Sequence, residues 1–167
     1  MKLTAKYIAT SGVVAALYVV LTMISTAFGL SSGAIQVRIS EALCILPAFT
    51  PAAIPGLFVG CIISNYLSGC VVWDVIFGSL ATLIGAVGTY LLRKHRVALC
   101  IPPIVSNMII VPLVLIYAYH VQDAYWFLIL TVGAGEVISV GILGQLLYSG
   151  LSKAKVTSSL LNERLRL

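Results

Sequence analysis

The sequence predicts an all-α integral membrane protein with six transmembrane helices and both termini in the cytoplasm. Two observations indicate the membrane: 60% of the 167 residues are hydrophobic and only 9% are charged, and the mean hydropathy is +1.10. Soluble domains carry about 25% charged residues, so this composition excludes a soluble enzyme, a disordered chain and a nucleic-acid binder. A third observation, the clustering of the basic residues, indicates the orientation.

The basic residues fall into three clusters that alternate with long uncharged runs. Apart from Arg38, they are Lys2, Lys6, Arg93, Lys94, Arg96, Lys153, Lys155, Arg164 and Arg166. Positively charged loops stay on the cytoplasmic side of a membrane, so all three clusters are expected there. The net charge of +5 is thereby assigned to topology rather than to a nucleic-acid partner.

The uncharged runs and this orientation together predict six helices. An even number of crossings must separate Lys6 from Arg93, and the run 42–73 would be about 48 Å long as a single helix. That length exceeds a hydrocarbon core of about 30 Å, and three prolines interrupt the run, so it divides into two short helices joined at Thr50-Pro51. The predicted helices are 7–27, 35–49, 52–67, 73–92, 97–119 and 124–150, with a cytoplasmic tail over 153–167.

The helices are expected to form one membrane domain over residues 1–167, without a metal or cofactor, because neither an internal repeat nor a metal-ligand motif is found. The uncharged run 7–37 is too long for a signal peptide and is interpreted as an uncleaved first helix. The four cysteines lie in or beside apolar runs, which is typical of small buried side chains. Lipid cannot form hydrogen bonds with exposed backbone, so the ends of the short helices should border a polar hollow on the outer side. An external loop with Gly29, Ser31, Ser32 and Gly33 is expected to cover it.

Most polar side chains outside the basic clusters gather near that hollow, and Glu136 stands out among them. It should lie near the bilayer centre, where a carboxylate costs about 2.5–3.5 kcal/mol, and at the depth of Asn107. It is interpreted as a ligand or proton site, or as a hydrogen-bond partner of Asn107. Asp74 is either a ligand contact or a carboxylate placed favourably at a helix N-terminus. Arg38 and Glu41 either pair with each other at i, i+3 or contact a solute.

Acidic, amide and aromatic groups together favour a small polar ligand. A carboxylate accepts two parallel hydrogen bonds from the N1–H and exocyclic amine of a guanine-like base, and aromatic faces add stacking of about 1–3 kcal/mol per base. Trp73 is interpreted either as a stacking residue or as part of the interfacial aromatic belt. The composition fits a cationic vitamin equally well.

The first helix carries a stripe of small residues, namely Ala5, Ala9, Gly12 and Ala16. Such a stripe allows close approach of another helix, either within the chain or in a separate membrane subunit. Gly56 and Gly60 form a second small-residue pair, interpreted as internal packing. The sequence contains no phosphate-binding loop of the form G-x-x-x-x-G-K-[ST], so uphill transport would draw on partners or on an ion gradient.

Three segments resemble the QueT family of substrate-binding (S) components of energy-coupling factor (ECF) transporters. They are QVRISEAL (36–43), PAFTPAAIPGLFVG (47–60) and WDVIFGSLATL (73–83). The resemblance covers essentially the whole chain and implies a six-helix, S-component-like bundle that binds a queuosine precursor, such as preQ0, preQ1 or queuine, from outside. It further implies three partners, a transmembrane coupling subunit and two ATP-binding-cassette ATPases, in the cell membrane of a prokaryote.

The resemblance also implies which residues act. The expected ligand-binding residues are Gln36, Arg38, Glu41, Asn65, Trp73, Asp74, Asn107 and Glu136. The expected docking face for the coupling subunit is Ala9, Gly12 and Ala16, where Gly12 stands at a position at which alanine is common.

Three other functions stay open from the sequence. One is an ion-coupled transporter that uses Glu136 as a proton site, although the chain lacks the inverted repeat common in such proteins. Another is an S component for a different vitamin-like solute. The third is a small membrane enzyme acting on lipid, and the sequence shows neither a nucleophile–base pair nor a metal set for it.

Overall fold

The computed structural model describes residues 4–30 and 35–154, and over these residues the regular structure is helical, with no strand. The α-helices are α1 (Ala5–Ala27), α2 (Ala53–Leu67), α3 (Val72–Leu91), α4 (Ile101–Tyr117), α5 (Tyr125–Glu136) and α6 (Gln145–Lys153). A 3₁₀ helix, Ile39–Ala48, precedes α2, and a 3₁₀ turn, Val97–Cys100, precedes α4. A π-helical segment, Val137–Gly144, joins α5 to α6. The predicted loop residues Ser31, Ser32 and Gly33, and the predicted tail after Ala154, lie outside the described residues.

The pattern of four long and two short helices is confirmed. Four helical segments are long and apolar enough to cross a membrane, namely Ala5–Ala27, Val72–Leu91, Val97–Tyr117 and Tyr125–Lys153. The two short apolar helices are Ile39–Ala48 and Ala53–Leu67, and the chain turns between them at Thr50-Pro51 as predicted. Six crossings and cytoplasmic termini stay predictions.

The prediction of an ordinary helix over 35–49 was wrong in winding and in extent. Residues 36–38 are not helical, and the 3₁₀ helix begins only at Ile39. Pro47 lies inside it and has no amide to donate to the carbonyl four residues earlier. A 3₁₀ helix rises about 2.0 Å per residue, so its ten residues reach farther than an α-helix of equal length.

Glycines in α2 let it pack closely against α1, as predicted for Gly56 and Gly60. A Cβ atom at Gly56 would lie 2.6 Å from the Ser11 carbonyl oxygen, and one at Gly60 would lie 2.9 Å from the Cβ of Tyr18. These contacts bring Tyr18 into the main hydrophobic cluster, where it meets Leu43 of the 3₁₀ helix. The 3₁₀ helix packs mainly against α1, α3 and the π-helical segment.

The cysteines lie where the sequence predicts small buried side chains. Cys44, Cys61 and Cys100 are buried, Cys70 is half-buried, and all four are free thiols. Cys44 and Cys61 belong to the main hydrophobic cluster.

Candidate ligand-binding site

A small polar cavity lies where the 3₁₀ helix meets α3, α4 and α5. Its lining residues are Gln36, Arg38, Glu41, Asp74, Gly78, Thr82, Asn107, Val111, Val132 and Glu136. Six of the eight predicted ligand-binding residues thus share one cavity, although they are spread over a hundred positions of the sequence.

Glu136 ends α5 and is buried among these groups. The side chain of Asn107, on α4, lines the same cavity, so the structure places these two residues at the same depth, as the sequence predicted. Among the described residues, Oε2 of Glu136 has no hydrogen-bond partner. A buried oxygen without a donor is costly, and this oxygen is therefore a ready acceptor for a ligand N–H group.

Asp74 lies at a helix N-terminus, which was one of its two interpretations, and it also borders the cavity. In this first turn of α3, the helix dipole favours a negative charge. Its Oδ2 accepts a hydrogen bond of 3.0 Å from the Tyr119 hydroxyl, which itself accepts one from the Val71 amide. Burial, and secondly the nearby Asp74 carboxylate, raise the pKa of Tyr119, so this hydroxyl stays protonated and keeps donating.

Arg38 and Glu41 do not simply satisfy each other. Nη1 of Arg38 donates to Oδ1 of Asn65 at 3.2 Å. The amide nitrogen of Asn65 lies 3.4 Å from the backbone oxygen of Asp74. Asn65 is buried and does not line the cavity. Its side chain instead positions Arg38 and the first turn of α3.

The carboxylate of Glu41 is occupied on both oxygens by protein groups. The Tyr18 hydroxyl donates to Oε1, and the Cys44 thiol lies 3.0 Å from Oε2. Glu41, Tyr18 and Cys44 are all buried. Of the two glutamates that line the cavity, Glu136 is therefore the one with an oxygen left for a ligand.

Tyr18 belongs to a hydroxyl stripe on α1, which the sequence reasoning missed. The Thr22 hydroxyl donates to Oγ of Ser40 at 2.8 Å, and Oγ of Ser25 accepts from the Ile39 amide at 2.9 Å. Tyr18, Thr22 and Ser25 recur at helical spacing on the buried side of α1, and this spacing was a readable signal. Together they hold the 3₁₀ helix that carries Glu41.

Trp73 lies outside the cavity. It is 60% exposed and lines an apolar groove between α3 and α4 instead, with its ring stacked on Phe77 at 6.0 Å between centroids. Since Trp73 and Asp74 are consecutive helical residues, their side chains point about 100° apart, and only one of them faces the cavity.

The cavity is small and its lining is rich in acids. Its volume is about 30 Å³, which is room for one or two water molecules. A bicyclic base can enter only if the lining elements move apart. Within the lining, the three carboxyl groups of Glu41, Asp74 and Glu136 face the one guanidinium of Arg38. Such a set suits a ligand with N–H donors or a positive charge.

The small-residue stripe of α1 faces away from the rest of the described chain. Ala5, Ala9, Gly12 and Ala16 are all exposed, and a Cβ added at Gly12 would meet no atom within 4 Å. The close packing of α1 against α2 uses its other side. The stripe is therefore available to lipid or to another membrane helix.

Comparison with known proteins gives two matches. The family model described as QueT transporter matches residues 8–153 of the chain. A relative from Lactococcus lactis subsp. cremoris (strain MG1363), called "Queuosine precursor transporter QueT", is 47% identical over 77 residues, which cover 46% of this chain and 45% of the relative. The alignment thus spans less than half of that relative. No solved structure matches the chain significantly.

Proposed function

Because the chain belongs to the QueT transporter family, we propose that it binds a queuosine precursor and delivers it into the cell. The ligand class is a 7-deazaguanine such as preQ0, preQ1 or queuine. The observation that carries the proposal is Glu136, a buried carboxylate with an unpartnered oxygen in an acid-rich cavity. The name of the Lactococcus lactis relative supports the same ligand class.

Glu136 is proposed to bind the N1–H and exocyclic amine edge of the base. Its free Oε2 accepts one N–H group, and Oε1 accepts the other. Asp74, which lines the same cavity, is proposed to hold a positively charged amine where the precursor has one. Gln36, Arg38 and Asn107 remain for the carbonyl oxygen and ring nitrogens of the base.

The chain is proposed to act as the S component of an ECF importer in a prokaryotic cell membrane, with both termini cytoplasmic. A transmembrane coupling subunit and two ATP-binding-cassette ATPases would supply the energy. The exposed stripe of Ala9, Gly12 and Ala16 supports this role, because small residues let a partner helix approach closely. The chain itself is proposed to be non-enzymatic.

Calorimetry of the purified chain with preQ0, preQ1 and queuine tests the ligand proposal. Glu136→Gln and Asp74→Asn are each expected to weaken binding at least tenfold, about 1.4 kcal/mol, because each replaces a charged acceptor by an amide that also presents a donor. The control is Thr89→Val, since the Thr89 hydroxyl bonds to the Leu99 carbonyl at 2.9 Å, far from the cavity on the same helix as Asp74. Wild-type affinity in both acid variants would remove these residues from the site.

The unpartnered oxygen of Glu136 also favours a second candidate, an ion-coupled transporter that uses this carboxyl group as a proton site. Liposomes that hold this chain alone separate the two. Uptake of precursor driven by a pH gradient and insensitive to ATP would support the second candidate. Uptake that requires the coupling subunit, the ATPases and ATP supports the first. Failure of all three precursors to bind, with another solute bound after purification, would indicate an S component for that solute.

A further inference from the structure

A continuous apolar groove runs along the outside of the bundle between α3 and α4. It has two halves, of about 560 Å³ and about 430 Å³, that share Ile84 and Ile110. The first half ends at Trp73 and Tyr117 and is called the aromatic half. The second half reaches Gly88 and Pro102 and is called the basic half, because the turn next to it carries basic residues. Neither half includes any residue of the polar cavity.

The basic half is a depression in the surface because a glycine of α3 and a proline of α4, neither of which has a long side chain, meet at its base. Gly88 of α3 lies directly against the Pro102 ring of α4, and a Cβ at Gly85 would lie 2.7 Å from the Cα of Pro103. The walls are the exposed side chains of Ile84, Val105 and Ile109. The hydroxyl of Ser106 bonds to backbone oxygens of Ala81 and Pro103 at 3.0 and 3.1 Å, so the surface of the groove is apolar.

The basic half has the length of one lipid leaflet. Its residues on α4 extend from Ile101 to Ile110, which is about 14 Å along a helix axis. Half of a bilayer core of about 30 Å is about 15 Å. One extended acyl chain fits the groove lengthwise.

A concentrated positive charge closes the end of this half. The connection from α3 to α4 contains Arg93, Lys94, His95 and Arg96, whereas no Asp or Glu occurs between Asp74 and Asp123. Since this turn joins the two helices that form the groove, it lies at the groove's end. Nη1 of Arg93 donates a hydrogen bond to the Tyr90 carbonyl oxygen at 3.2 Å, and the Arg93 guanidinium lies over the Tyr90 ring. The Lys94 side chain is exposed.

We propose that the basic half of the groove binds one anionic phospholipid, with an acyl chain between Gly88 and Val105 and the phosphate on Arg93 and Lys94. Basic residues next to a membrane surface attract anionic headgroups by about 1 kcal/mol each, and the groove adds contact area that a flat helix face lacks. The aromatic half ends at Trp73 and Tyr117 instead of at basic residues, so the same selectivity is not expected there.

The test measures retention of phosphatidylglycerol and phosphatidylcholine by the purified full chain, by native mass spectrometry and by the shift of melting temperature on lipid addition. The wild type is expected to hold one phosphatidylglycerol in preference to phosphatidylcholine. Lys94→Gln should weaken that preference about fivefold, and the double variant with Arg93→Gln about 25-fold. Val105→Trp should fill the groove and displace the lipid, with Ile109→Phe as a second, milder filling variant.

Leu113→Trp is the matched control, because Leu113 is a similarly exposed residue of α4 that lines the aromatic half. It should retain phosphatidylglycerol like the wild type. Equal retention of the two lipids by the wild type would overturn the proposal. So would unchanged phosphatidylglycerol binding in both filling variants, since the basic turn would then act as a general surface charge without a groove site.

Discussion

The hydrogen bond from Tyr18 to Glu41 gives the sharpest test of how the cavity is built. Tyr18 is 1% exposed and its Cβ lies against Gly60, so Tyr18→Phe removes the hydroxyl while keeping the packing. The carboxylate of Glu41 is left buried with the Cys44 thiol as its other neighbour. A hydrogen bond to a charged group contributes about 1.5–3 kcal/mol, and the free energy of unfolding should fall by about that amount.

Binding should weaken as well, because Glu41 is a wall of the cavity and Tyr18 sets its orientation. We expect at least a threefold loss of precursor affinity, about 0.65 kcal/mol. The assays are unfolding by SDS in mixed micelles, followed by tryptophan fluorescence, and calorimetry with the precursor.

Tyr7→Phe is the matched control on the same helix. The Tyr7 hydroxyl bonds to the Pro51 carbonyl at 3.3 Å, outside the cavity, and a neutral bond of this kind contributes about 0.5–1.5 kcal/mol. Its loss should leave precursor affinity unchanged. If Tyr18→Phe unfolds no more easily than Tyr7→Phe and binds as the wild type does, the hydroxyl stripe plays no part in shaping the site. If only stability falls, Tyr18 supports the fold but not the ligand site.

Two further predictions concern α1 and the orientation of the chain. Ala16→Leu places a larger side chain on the exposed stripe, and should abolish co-purification with the coupling subunit while precursor binding stays at the wild-type level; normal assembly would count against that docking face. The orientation is tested with single cysteines at the exposed positions Tyr66 and Val97, in a background with Cys70 replaced by Ser. A membrane-impermeant thiol reagent should label the cysteine at position 66 in intact cells. It should label the cysteine at position 97 only after lysis. The reverse pattern would invert the proposed topology.

Much of the fold followed from the sequence because charge and hydropathy act locally. Long uncharged runs of about 20 residues or more form helices in lipid, since a helix satisfies its own backbone groups. The length of the run 42–73 and its three prolines divided it into two helices. Depth counted along α4 and α5 brought Asn107 to Glu136, because each residue of a helix advances by a fixed rise.

Charge, hydropathy and helix rise did not predict that the segment from Ile39 forms a 3₁₀ helix. They also did not predict which way individual side chains face. The segment at Ile39 is held by hydroxyls of α1 that lie 14 to 23 positions earlier in the chain. Trp73 and Asp74 are neighbours in sequence, yet one lines the apolar groove and the other the cavity. Which of them faces inward depends on how α3 rotates against its neighbours.

By itself, then, the sequence determined a helical membrane protein, the approximate position of each helix and the set of polar residues available for a site. The tertiary structure decided which carboxylate keeps an unpartnered oxygen. Glu41 has its oxygens occupied by Tyr18 and Cys44, whereas Glu136 keeps Oε2 open. The physical reason is that the hydrogen bonds of a buried carboxylate depend on which side chains of other helices reach it. Tyr18 lies 23 positions before Glu41 in the chain, and only the packing of the helices brings them together.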